Sequence, residues 1–254
     1  MALDASIITT IELNYKYPLD YFEVKQMIEA KDCSLQYKDG TLALKPFNLL
    51  IGKGETVFIM GPSGSGKTSL LKLMMGIEMP TQGAFYVLDQ PMAQSNSDTI
   101  RSIRTKIGPI FQEFRLLEGR TVLENVILSL RFMGYSKQEM NQIGTLYIER
   151  VGLGHKINHT VDRLSWGECQ RVAIARAVAR KPALIIADEP TGNLDHENAL
   201  NVLNLLTGFA NQDTTVIITT HATHLVDQLD ATQRIYMRNG EMTVKRYKAN
   251  DKNI

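Results

Sequence analysis

The run Gly61-Pro62-Ser63-Gly64-Ser65-Gly66-Lys67-Thr68-Ser69 contains the spacing G-x-x-x-x-G-K-[ST], with the apolar segment Thr56–Met60 before it and a helix-forming segment after it. Each residue type suits an anion. The glycines let successive backbone N–H groups turn inward into a nest, and the N-terminus of the following helix adds partial positive charge. Lys67 is placed to reach the β- and γ-phosphates of a nucleotide, and the Thr68 hydroxyl to ligand Mg²⁺. At ordinary residue usage, about 0.01 chance matches are expected in roughly 250 residues. The pattern therefore implies binding of a nucleoside triphosphate and leaves open what the energy does.

Leu184-Ile185-Ile186-Ala187-Asp188-Glu189 is an apolar strand ending in two acids. Downstream of a phosphate loop it looks like a Walker B strand, with Asp188 on Mg²⁺ and Glu189 beside the attacking water as general base. Between the two lies Leu164-Ser165-Trp166-Gly167-Glu168-Cys169-Gln170-Arg171, which opens a helix. Gln112 stands in Phe111-Gln112-Glu113, Asp195 ends Gly192-Asn193-Leu194-Asp195, and His221 follows the apolar run that closes at Thr220. Taken singly, each has a plainer role. Tyr37 suits a half-buried strand position, Gln112 a surface amide and His221 a helix cap. His224 competes with His221 by proximity, but His221 directly follows the strand, where a side chain can face a γ-phosphate.

Taken in order, Tyr37, Lys67, Gln112, Ser165, Asp188, Glu189, Asp195 and His221 resemble the motif set of ATP-binding cassette (ABC) proteins over roughly residues 32–246. The Leu164–Arg171 segment resembles the signature that separates this family from other phosphate-loop ATPases. The resemblance implies an α/β fold: a P-loop NTPase cassette with a RecA-like parallel-sheet core, an antiparallel β subdomain and a helical signature subdomain at about 113–170. The cassette would span 31–248, between an extension (1–30) of unknown role and a tail (249–254). ATP and Mg²⁺ are the implied cofactors. Gly61 to Ser69 would hold the phosphates, Tyr37 would stack on adenine, and Gln112 would join Thr68 and Asp188 as metal ligands. Lys67, Gln112, Glu189 and His221 form the implied catalytic set. In this family two cassettes pack head to tail. Ser165, Trp166, Gly167 and Glu168 would then meet the partner's nucleotide, with Asp195 at the dimer contact, so a homodimer or a sister cassette is expected.

Two positions depart from the pattern. Trp166 replaces the first signature glycine. Its indole either crowds the partner's nucleotide or leaves the backbone in an ordinary helix start and stacks at the dimer interface. Ala222 stands where many relatives carry Asp, which removes a supporting contact but no phosphate ligand. Retention of Lys67, Gln112, Asp188, Glu189 and His221 favours a working ATPase.

Ala187–Asp195 resembles the bacterial subgroup typified by the cell-division ATPase FtsE, the lipoprotein-release ATPase LolD and the MacB efflux cassette. Gly76-Ile77-Glu78 and Phe111-Gln112 with Leu116-Leu117 look closest to FtsE, whereas Arg171–Ala177 looks as much like LolD. The resemblance implies a peripheral subunit on the cytoplasmic face of the inner membrane. ATP-driven dimer closure would drive a four-helix membrane partner, and through it a periplasmic adaptor. The contact would be a groove near Gln112 and segment 113–135, with Phe114, Leu116, Leu117 and Phe132 as candidates, each of which equally suits a subdomain core. Export or extraction of lipoproteins, lipids or drugs competes with regulation of cell-wall hydrolysis during division. A soluble protein acting on ribosomes or DNA is disfavoured, because neither a tandem cassette nor a long coiled-coil insertion is present.

Positioning these groups requires strands and helices in alternation. β-rich runs at 32–38, 43–50, 55–60 and 83–88 surround the phosphate loop, whose helix stops near Gly76. A helix start precedes Ile100, helices broken near Gly134 occupy 121–151, and a helix runs 165–180. Ala183–Ala187 and Thr214–Thr220 are continuous apolar runs of the kind found in buried parallel strands. The alternation predicts a parallel sheet with crossover helices. Phe22, Val24, Met27 and Ile28 suggest a short helix over 20–30. The 254 residues carry 28 Lys+Arg against 27 Asp+Glu, a net charge of +1, which lends no support to a nucleic-acid partner. Cys33 and Cys169 read as reduced thiols. Neither a signal peptide after Met1-Ala2-Leu3-Asp4 nor an apolar stretch long enough to span a bilayer is evident, so another subunit would provide the membrane.

Overall fold

Along Thr56–Met60, Val57 and Ile59 enter one hydrophobic core while Phe58 and Met60 enter another. Ile185 and Ala187 likewise face away from Leu184 and Ile186. Successive strand side chains point to opposite faces, so a strand apolar at every position must be covered on both sides. The architecture follows from that requirement. The computed structural model describes residues 26–93, 95–192 and 194–247.

The main sheet contains β3 (Thr56–Met60), β6 (Ile107–Ile110), β7 (Leu184–Ala187), β8 (Thr215–Thr220), β9 (Gln233–Arg238) and β10 (Glu241–Arg246). Its order is β10-β9-β3-β8-β7-β6, parallel throughout except for the β9–β10 hairpin. That hairpin turns at Asn239 (φ 50°) and Gly240 (φ 76°), the left-handed pair of a two-residue β-turn. A second, antiparallel sheet holds β1 (Gln26–Gln36), β2 (Leu42–Gly52), β4 (Gln82–Val87) and β5 (Gln90–Pro91) in the order β2-β1-β4-β5. Together with α1 (Lys67–Met74) and α2 (Ser97–Thr105), its strands supply one core of the molecule. The opposite core is built by α3 (Val122–Ile127), α4 (Lys137–Arg150), α5 (Trp166–Val178) and α6 (His196–Thr207). A single turn, α7 (Thr223–Val226), follows β8. Among the described residues no helix is long and apolar enough to cross a membrane.

Local signals account for the helix boundaries. Asn96 caps α2 by accepting the Asp98 and Thr99 N–H groups. Thr121–Glu124, Ser136–Glu139 and Ser165–Glu168 form capping boxes at α3, α4 and α5. Gly76 (φ 62°) ends α1 one residue beyond its last cap, as the sequence suggested.

One expectation fails. Residues 26–30 are not helical and do not belong to an extension, because β1 begins at Gln26 and is a central strand between β2 and β4. Ile28 pairs with Ile51 on one side and Val87 on the other, and both Met27 and Ile28 are fully buried. Sheet pairing on two edges overrides the loose apolar spacing that suggested a helix. Residues 1–25 and the tail beyond 247 lie outside the described residues.

The stretch between β6 and α3 has no regular structure of its own and is held by side chains. Buried Asn125 accepts the Leu117 N–H at 2.7 Å and donates to the Leu117 and Thr121 carbonyls. Arg176 of α5 donates to the carbonyls of Phe114 and Arg115, both at 2.6 Å. Asn125→Leu keeps the branched outline of the buried side chain but adds volume and removes the partner of the Leu117 N–H and of the Leu117 and Thr121 carbonyls. It is expected to lower the unfolding free energy by about 3 kcal/mol, measured by urea denaturation.

Candidate functional site

The C-terminal ends of β3, β7 and β8 lie side by side, and each delivers one group to a common cavity. From β3 the chain enters the phosphate loop with Gly61 at φ 155° and leaves it with Gly66 at φ 105°. A Cβ on Gly61 would lie 2.2 Å from the Met237 carbonyl oxygen, and one on Gly66 would lie 2.7 Å from that of Ala43. Side chains are thus excluded where the backbone must curl closest to its neighbours. The cavity, about 820 Å³, is lined by Ser63 to Ser69, Tyr37, Gln112, Glu189 and His221, with Asn239 and Gly240 at its rim.

Lys67 is 6% exposed, and its Nζ donates to the Gly61 and Pro62 carbonyls at 2.8 and 3.1 Å. It also pairs with Glu189 Oε1 at 3.2 Å. The other oxygen, Oε2, accepts the His221 backbone N–H at 3.1 Å and lies 2.8 Å from His221 Nδ1. One carboxylate therefore bridges the groups delivered by β3 and β8. It does so with a backbone φ of 45°, a left-handed conformation that costs a non-glycine residue about 1–2 kcal/mol. Thr219, fully buried, supports this arrangement. Its Oγ1 donates to Asp188 Oδ1 and accepts the Glu189 N–H, both at 2.8 Å.

Asp188 Oδ1 also accepts from Thr68 Oγ1 at 3.4 Å. A carboxylate and a hydroxyl converging on one point, with the Gln112 amide on the cavity wall, form an all-oxygen donor set that fits a hard cation such as Mg²⁺. The buried Ser65 Oγ has no hydrogen-bond partner within the protein and sits in the loop where an anion would supply one. The Tyr37 hydroxyl bonds Ser69 Oγ at 3.0 Å, and the Lys72 ammonium lies over its ring. Tyr37 thus stands at the cavity wall.

Residues 44–192 match the ABC transporter family model. The chain is 41% identical to the cell division ATP-binding protein FtsE of Mycobacterium tuberculosis, over 80% of this chain and 89% of that one. It is 35% identical to the macrolide export ATP-binding/permease protein MacB of Chlorobaculum tepidum, over 87% of this chain but 34% of that longer one. The ATP-binding cassette MJ0796, solved as a dimer in a post-hydrolysis state with ADP and Pi, superposes with a TM-score of 0.79 at 35% identity. That match covers 88% of this chain and all of the other. The chain belongs to the ABC transporter family. It is an ABC ATPase, the ATP-binding subunit of an ABC transporter.

The remaining motif residues of the cassette lie away from the cavity of their own protomer. Ser165 caps α5, accepting the Glu168 N–H, while Glu168 accepts the Ser165 N–H in return. Trp166 takes the first helical position. Asp195 caps α6 by accepting the Asn198 N–H at 2.9 Å. Of the apolar candidates for a partner groove, Phe132 is 95% exposed and Leu117 46%. Phe114 and Leu116 line a second cavity of about 430 Å³ beside Trp166 and Cys169. Leu116 also packs on the helical core.

The sequence reading missed Thr219, Asn239 and Gly240. The last two were signalled by an Asn-Gly pair between strand-like runs. Thr219 was signalled only by a hydroxyl inside an otherwise apolar run.

The Lys156 ammonium hydrogen-bonds the Glu168 carboxylate and, with the Ser165 N–H, holds it below the ordinary Glu range. The folded state therefore prefers the ionised form. Its stabilisation is complete above the ordinary Glu value of about 4.3 and is lost as pH falls through the lower folded value. Lys156→Met should cost about 1 kcal/mol near neutral pH. The difference from wild type, measured by denaturant unfolding at several pH values, should shrink toward zero in acid.

Proposed function

We propose that the cassette works as an ATP-driven dimer that hydrolyses ATP through Glu189 and transmits its closure to a membrane-embedded partner. The observation that carries the chemistry is the Glu189 carboxylate held between Lys67 and His221 at the mouth of the phosphate loop. With ATP bound, its β- and γ-phosphates take over Lys67 Nζ, which the loop carbonyls and Glu189 otherwise occupy. Glu189 Oε1 is then released, while Oε2 stays anchored on His221. The freed oxygen accepts a proton as water attacks the γ-phosphorus, and the bond from that phosphorus to the β–γ bridging oxygen breaks, leaving ADP and phosphate. Thr68 and Asp188, with Gln112, would hold Mg²⁺, which supplies positive charge to the phosphate oxygens. Ser165 and the Gly167 backbone, at the N-terminus of a 13-residue helix outside their own cavity, suit the γ-phosphate of a partner cassette.

The exposed apolar side chains Phe132 and Leu117 support docking of an apolar segment of the membrane partner. Export or extraction of a lipoprotein, lipid or drug is the output we favour, in line with the MacB-like similarity. A second reading, control of cell-wall hydrolysis during division, is supported by the 41% identity to FtsE.

Glu189→Gln is expected to cut ATP turnover at least about 100-fold, the scale of a lost general base, while ATP still binds and the dimer accumulates on gel filtration. Turnover near the wild-type rate would sink the assignment. Affinity purification in mild detergent, followed by mass spectrometry, should recover an integral membrane protein. A periplasmic adaptor beside it supports export, and its absence the division reading. Recovery of ribosomal proteins or DNA would overturn both.

A further inference from the structure

Trp166 is the chain's single tryptophan and stands where the family signature carries glycine. Its indole is 43% exposed and does not line the nucleotide cavity of its own protomer, yet it is held by two contacts. The ring packs edge-on against Phe114, with centroids 4.4 Å apart and planes inclined by 60°. Its Nε1–H donates to the Gly192 carbonyl at 3.1 Å. Each contact leads toward a group already placed at the ATP site. Phe114 lies two residues beyond Gln112, and its own carbonyl is fixed by Arg176 from the same helix as Trp166. Gly192 closes a turn in which its N–H donates to the Glu189 carbonyl at 3.1 Å. A Cβ on Gly192 would lie 3.8 Å from Gln112 Nε2, so the two loops approach within about one methyl group of each other there. One side chain therefore fastens the loop after Glu189 to the loop after Gln112.

We propose that Trp166 is a positioning residue for hydrolysis within its own protomer: it ties the Glu189–Gly192 turn to the Gln112–Phe114 segment so that the two loops keep one geometry. The proposal rests on the assignment of Glu189 and Gln112 under Proposed function. Glycine at 166 offers neither the ring nor the donor, and phenylalanine offers the ring alone, which separates the two contacts. The indole N–H is satisfied within the protomer, so no partner nucleotide is needed to explain its orientation. Because the tie acts on the position of Glu189 rather than on the phosphate cradle, its loss slows turnover and spares ATP affinity.

The test compares Trp166→Phe and Trp166→Gly with wild type in steady-state ATPase assays, ATP binding by calorimetry and thermal melting. Trp166→Phe should lower kcat about fivefold, the worth of one hydrogen bond, with KM and the ATP dissociation constant within about twofold. Trp166→Gly should lower kcat further with the same split. In ¹⁵N NMR of the wild-type protein the single indole N–H signal should shift when ATP is added. An unchanged kcat in Trp166→Phe, whether or not the variant melts earlier, overturns the proposal. So does an indole signal that ATP leaves unmoved, or a raised KM with unchanged kcat, which would put the indole on the partner's nucleotide. Wild-type protein that binds ATP but is insensitive to Glu189→Gln would instead defeat the assignment of Glu189.

Discussion

Everything at this site depends on three neighbouring strands running the same way. β3, β8 and β7 are adjacent and parallel, so the phosphate loop, His221 and the pair Asp188–Glu189 all emerge on one edge of the sheet. Reversing any one of them would send its group to the far edge of the sheet. Parallel pairing in turn requires crossovers and cover on both faces. The β1, β2 and β4 strands with α1 and α2 on one side, and α3 to α6 on the other, meet that requirement. The strained backbone at Glu189 is tolerated because the surrounding strands are buried and Thr219 holds the turn from beneath.

The Lys67–Glu189 pair meets a second constraint. A nearly buried ammonium without a partner is costly, and here two loop carbonyls and a carboxylate satisfy it. The same three oxygens compete with any phosphate for that ammonium. A phosphate bound there would thereby be linked to the freedom of Glu189 through one charge. His221 completes the link: its backbone N–H and ring nitrogen both address Glu189 Oε2, leaving Oε1 the more easily exchanged oxygen.

Much of this was legible in the residues because the constraints act locally. Continuous apolar runs marked β3, β7 and β8, since burial on both faces leaves no polar period. Capping residues Asn96, Thr121, Ser136 and Ser165 stand where helices read from the sequence begin, whereas α6, capped by Asp195, was not read. What escaped depends on distant partners. Met27 and Ile28 read as one side of a helix because nothing near them announces Ile51 and Val87. Thr219 is an ordinary strand residue until Asp188 and Glu189 are brought beside it from thirty positions away. The direction of the Trp166 indole was open for the same reason, since Gly192 and Phe114 reach it only in the folded chain.

The segment from Gln112 to Leu117 shows how irregular chain can be held in place. It has few backbone hydrogen bonds of its own, yet Arg176 and Trp166 of α5 hold its start and Asn125 of α3 holds its end. The Arg115 guanidinium adds a contact over the Phe111 ring at 3.9 Å. Both ends of the segment are thus anchored to helices of one core, its start to α5, whose capped beginning is Ser165, and its end to α3. Exposed Leu117 is joined through its own N–H and carbonyl to buried Asn125. Close-packed interiors have little compressibility, so a segment fastened to one in this way has less freedom than its lack of secondary structure suggests. The wall of the nucleotide cavity at Gln112 is therefore connected to two helices by side chains rather than by secondary structure.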